Sequence, residues 1–176
     1  GLVFYGLTHN PITYPRVEPS YGLYSIELMQ YPLVLGIAGH NYLVLRDGNN
    51  TVLRELHGLA TDSKTNAWKY MGIKTGDKLK VWEFSSEDTF VIHKSYSGRI
   101  LYRGTKEEAV NLWVEALVCK EKINSKNILY PPFGVTLGGD TENSNSVAYT
   151  LTLCMDLDPN HIGLFTPGST KNLLEE

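Results

Sequence analysis

Two apolar runs separated by a four-residue turn constrain this chain more than any other feature. Leu33 to Arg46 is dense in Val, Ile, Leu and Tyr, with Gly36 and Gly39 as bends or bulges, and Thr51 to His57 reads as the returning strand. Between them Asp47-Gly48-Asn49-Asn50 is a turn signature, because Gly, Asn and Asp tolerate the backbone angles of tight hairpins. With those four residues as the loop, Arg46 faces Thr51, Val44 faces Leu53, Tyr42 faces Glu55 and His40 faces His57. Two histidines then become neighbours on one face of the hairpin.

Three further strands are expected at Lys78 to Phe84, Thr89 to His93 and Arg99 to Arg103, separated by short polar turns as in an antiparallel meander. Thr105, with Glu108 three residues on, makes a capping box ahead of Val110, Trp113, Val114 and Leu117 at helical spacing, a helix running to about Lys122. Asn124 to Asp140 is loop-like. Glu142 to Ser146 then opens a second helix patterned by Val147, Ala148, Leu151, Cys154 and Met155 and ended by Asp158-Pro159. The first thirty residues hold Pro11, Pro15 and Pro19 among scattered tyrosines and read as an extended arm, a strap on its own domain or a contact for a partner protein. Residues 31–176 are expected to form one α+β domain in which an antiparallel sheet packs against a few helices.

At 176 residues the chain suits a single domain, and 42% hydrophobic with 20% charged residues argues against disorder. A net charge of −3, from 16 basic and 19 acidic residues, leaves no basic excess for a phosphate backbone, so nucleic acid is not an expected partner. The apolar stretch from Tyr31 to Leu45 is broken by Pro32, Gly36 and Gly39 and falls short of the roughly 20 residues of a membrane span. Cys119 and Cys154 could pair, yet both lie in helical patterns where a free, buried thiol is the commoner reading, so the redox compartment stays open. The chain has no G-x-S-x-G elbow, no phosphate loop and no H-E-x-x-H pair. A histidine pair on a hairpin lacks the third and fourth ligands of a zinc site, so neither metal nor cofactor is expected.

The remaining chemistry joins His40 to the start of the second helix. A serine at a helix N-terminus meets unpaired amides and the positive end of the dipole, which favour an oxyanion, and a strand histidine can serve as its base. His57 or Glu55 would hold that base in one tautomer. The plainer reading is that Asn143 or Ser144 caps the helix and that the hairpin face is solvated.

Gly39-His40-Asn41-Tyr42-Leu43-Val44-Leu45, the return ending in Glu55-Leu56-His57-Gly58, and Asn143-Ser144-Asn145-Ser146-Val147 opening a helix together resemble the circularly permuted papain-like superfamily. The likeness is to its lecithin:retinol acyltransferase-like, PPPDE and NlpC-like branches and spans roughly Ile37 to Leu157. It implies that His40 is the base, His57 or Glu55 the polar residue behind it, and Asn143-Ser144 the counterpart of the family's Asn-Cys pair. Ser146 is a second candidate nucleophile. Serine in place of cysteine is a departure, since a hydroxyl is a weak nucleophile unless a base takes its proton. The resemblance further implies a hydrolase or acyltransferase acting on amide, isopeptide or ester bonds of a peptide, peptidoglycan or lipid-ester substrate, including peptidases, amidases and bacterial effector or toxin domains. The alternative is a non-catalytic binding module on the same scaffold.

Overall fold

Alternation of the two strand faces organises the whole molecule, because both faces of its sheet are buried. The structure is a computed structural model that describes residues 22–33, 38–69, 72–88, 98–136, 141–160 and 166–175. Among the described residues six strands form one antiparallel sheet: β1 (Tyr24–Leu33), β2 (Ala38–Arg46), β3 (Val52–Thr61), β4 (Trp68–Lys69), β5 (Lys78–Ser85) and β6 (Gly98–Gly104). Two helices, α1 (Lys106–Ser125) and α2 (Ser144–Cys154), lie against it, so the expected α+β architecture is found.

β1 lies between β2 and β6, and β3 pairs with β2 on one side and β5 on the other. The expected meander is therefore corrected: β5 and β6 sit at opposite sides of the sheet, because β6 takes the free edge of β1. The candidate strand at Thr89 to His93 lies outside the described residues. Tyr24 to Gln30, read as part of the arm, instead belong to β1, while residues 1–21 lie outside the described residues.

The hairpin forms where expected, with a different register. Asp47 N–H donates to the Thr51 carbonyl, and the Asp47 carboxylate accepts from the N–H groups of Asn49 and Thr51, so Gly48-Asn49-Asn50 is the true loop. Arg46 then pairs with Val52, and a bulge brings Leu45 opposite Arg54, Val44 opposite Glu55 and Leu43 opposite Leu56. Each step shifts the pairing by one residue. The two together restore the original faces, so His40 and His57 stay on one side while Tyr42, rather than His40, comes opposite His57.

One face carries Ile26, Leu28, Leu43, Leu45, Leu56, Ala60, Leu79 and Val81 against Trp113, Ala116 and Ile123 of α1 and Val147, Ala148 and Leu151 of α2. The other carries Met29, Tyr42, Val44, Leu59 and Phe84. Helix α1 starts as its sequence dictates, with Thr105 Oγ1 accepting from Glu108 N–H in a capping box. The cysteines correct the free-thiol expectation: Cys119 of α1 and Cys154 of α2 form a disulfide across 35 residues. Disulfides form and persist in oxidising surroundings. No helix among the described residues is long and apolar enough to cross a membrane.

Candidate functional site

β2 and β3 part company beyond Leu43 and Leu56, and the site is built around that parting. At Ala60 and Thr61 the strand that pairs with β3 on this side is β4. The backbone of β2 at Gly39 and Asn41 meets the start of α2 instead. Asn145 Oδ1 accepts from Asn41 N–H at 2.8 Å, and Asn145 Nδ2 donates to the Gly39 carbonyl at 3.1 Å. A carbonyl before His40 and an N–H after it are the pair a parallel strand would engage, so this side-chain amide stands in for a strand. Asn41 Oδ1 in turn accepts from Gln30 Nε2 at 3.0 Å.

α2 begins in a closed polar cap. Asn143 Oδ1 accepts from the N–H groups of Asn145 and Ser146, and Ser146 Oγ accepts from Asn143 N–H and donates to the Thr141 carbonyl. Asn143 Nδ2 reaches the carbonyls of Gly134 and Pro167, both at 2.8 Å. Asn143 and Ser146 are thus the two halves of a capping box. Ser144 holds the first helical position, where a helix has N–H groups without intrahelical partners. Its Oγ is buried and makes no hydrogen bond of normal geometry, although it lies close to the Tyr130 phenol. Burial pushes the Tyr130 phenol upward, the Ser144 hydroxyl acts against that, and the Asp77 carboxylate raises it further. Gly58 of β3 makes this seat possible, since a Cβ there would meet Val147 at 2.6 Å and Ser144 Cα at 3.0 Å.

On the other face of the sheet His40, His57 and Glu55 form one line. His57 Nε2 is 2.8 Å from Glu55 Oε1, and His57 Nδ1 is 2.9 Å from His40 Nε2. A carboxylate accepts, so His57 donates from Nε2 and its Nδ1 accepts; His40 then donates from Nε2 and carries its lone pair on Nδ1. The rings stack with centroids 5.2 Å apart, and Tyr42 stacks on His57 at 4.5 Å, as its opposite register position requires. Burial holds both imidazoles well below their ordinary 6.5, and for His40 the neighbouring His57 adds to the effect.

That depression has a measurable sign. Around the ordinary value of 6.5 the unfolded chain takes up protons that the folded chain refuses, so stability is full above about pH 7 and is lost as pH falls through 6.5. The slope is roughly 1 kcal/mol per histidine per pH unit. Urea midpoints at pH 7.5 and pH 5.5 should show this loss, and equal midpoints would mean that both rings accept protons in the folded state.

Of the six residues singled out in the sequence, the structure joins His40, His57 and Glu55 in one chain and Asn143 and Ser146 in another. Neither the Ser144 nor the Ser146 hydroxyl bonds to His40: Ser146 Oγ is committed to the cap, and Ser144 Oγ lies beside the Tyr130 phenol without a hydrogen bond of normal geometry. Asn145 and Tyr130 are the residues that sequence reasoning missed. The Asn-x-Asn spacing from Asn143 was the available signal for the first, and nothing local pointed to the second. Among the described residues no group of three or more His, Cys, Asp or Glu side chains is placed to hold a metal ion. Neither a family model nor a curated protein nor a solved structure matches this chain.

Proposed function

We propose that this chain is a papain-like hydrolase or acyl-transfer enzyme acting on an amide, isopeptide or ester bond, with Ser144 where the superfamily has cysteine. The observation that carries the reading is the buried Glu55–His57–His40 line, in which a carboxylate fixes the tautomer of one imidazole and that imidazole orients the next. Ser144 stands at the first position of α2, beside the parting of β2 and β3; the His40 ring lies with Tyr42 on the opposite face of the sheet, so the reaction requires the two to meet through that parting. In the reaction Ser144 Oγ attacks the carbonyl carbon while His40 takes its proton. The tetrahedral intermediate collapses, the C–N or C–O bond breaks, and His40 returns the proton to the leaving group. Water or a second acceptor then releases the acyl group by the same steps reversed. Peptide, peptidoglycan and lipid-ester substrates fit this chemistry, as does the role of a bacterial effector or toxin domain.

A second reading, a non-catalytic binding module, is favoured by one observation: the Ser144 hydroxyl is buried and unbonded to His40. A fluorophosphonate probe separates the two, because its phosphorus is attacked only by an activated hydroxyl, with loss of fluoride. On the enzyme reading the intact chain acquires one adduct, mapped to Ser144, which is absent from Ser144→Ala and forms about 100-fold more slowly in His40→Ala. An unlabelled wild type whose Ser144→Cys form is also inert to iodoacetamide leaves the binding module.

A further inference from the structure

We propose that Asn145 is the positioning residue of this site: its side-chain amide ties the helix carrying Ser144 to the strand carrying His40 and so fixes the two relative to each other. The assignment rests on the enzyme reading for its purpose and on geometry for its substance. Asn145 is next to Ser144 in α2, and its amide grips the residues on either side of His40, Gly39 through the carbonyl at 3.1 Å and Asn41 through the N–H at 2.8 Å. A third bond, from Nδ2 to the Pro167 carbonyl at 3.1 Å, holds the amide plane from the opposite direction. The amide's donor group and its acceptor are all engaged, and the residue is buried.

Among the described residues, the hydrogen bonds that join these two segments are those of the Asn145 side chain. The β2 backbone here has lost its β3 neighbour, since the ladder of that pair ends at Leu43 and Leu56. The Ser144 hydroxyl makes no hydrogen bond of normal geometry, and the side chains of Asn143 and Ser146 bond within the cap and to Gly134, Pro167 and Thr141. A cap needs an oxygen from Asn143 and a hydroxyl from Ser146, and Asn145 contributes only its backbone N–H to it. Its side chain is therefore spent on the strand, and a helix start that needed only capping would not require an amide at this position.

The test compares Asn145→Ala and Asn145→Asp with wild type in the full chain, by two readouts. The first is the imidazole nitrogen spectrum of His40 and His57, which needs no activity. Asn145→Asp keeps the acceptor for Asn41 and loses both donor bonds, while Asn145→Ala loses all three. Both should shift the His40 signals and its titration, the alanine variant more. The second is the rate of fluorophosphonate labelling of Ser144, expected to fall at least about tenfold in Asn145→Ala. The Cys119→Ser/Cys154→Ser variant, destabilised at a distance, should label at the wild-type rate and serves as the stability control. Wild-type histidine signals together with a wild-type labelling rate in a folded Asn145→Ala would overturn the assignment. If the wild type itself takes no label, the enzyme reading fails alone, and the imidazole spectra still decide whether Asn145 holds the strand.

Discussion

Glu27→Ala should lose about 3–5 kcal/mol of stability, because it breaks a buried ion pair by removing one partner. Arg46 is among the largest fully buried side chains, and its Nε donates to Glu27 Oε2 at 2.9 Å between the neighbouring strands β1 and β2. Both ions have already lost their hydration, so removing the carboxylate takes away the anion that faces the buried guanidinium at 2.9 Å. Glu27→Gln should cost less, since its amide oxygen still accepts. The double variant Glu27→Leu/Arg46→Met should recover most of the loss, since replacing a whole buried pair with apolar groups is often close to neutral. Urea midpoints at unchanged slope measure all three. A Glu27→Ala variant within about 1 kcal/mol of wild type would mean that the pair is not what satisfies Arg46.

The disulfide-free variant Cys119→Ser/Cys154→Ser should be nearly as costly. Closing a loop across 35 residues removes unfolded-chain entropy worth about 4 kcal/mol. For a chain of this size that corresponds to a fall in melting temperature of roughly 10 °C. The same fall should follow reduction of the wild type by a dithiol, and the variant should then be insensitive to that reductant. Equal melting temperatures with and without reductant would show that the bridge contributes nothing to stability.

How much of this was legible follows from where each signal lies. Local signals were read well. Thr105 with Glu108 and Asn143 with Ser146 are both capping boxes, and each marks its helix start through contacts three residues apart. The turn at Asp47 located the hairpin, but one carboxylate bonding two backbone N–H groups tightened the loop by a residue, and a bulge added another. β1 is hard to read because its alternation lasts only from Ser25 to Leu28 before Met29 breaks it, and because its polar residues Ser25, Glu27 and Gln30 are buried. Glu27 is paired there with Arg46 of the next strand. The disulfide and the opposite placements of β5 and β6 depend on pairings between distant segments, on which local pattern is silent. In the site, His40 and His57 were read as neighbours correctly, since a two-residue slip preserves faces. The bond from Asn145 to Asn41 spans 104 residues and has no local trace.

That span has a consequence for how the chain acquires its structure. The ladders of β1, β2 and β3 close within the first third of the sequence, whereas β1 waits for β6 and the Gly39–Asn41 edge of β2 waits for α2. Long-range closures of this kind slow folding, because chain entropy is lost before the contacts that offset it are made. A nascent chain that ends before residue 145 therefore presents an unpaired strand edge, open to another copy of itself, and the segment holding the candidate site is the last to be sealed.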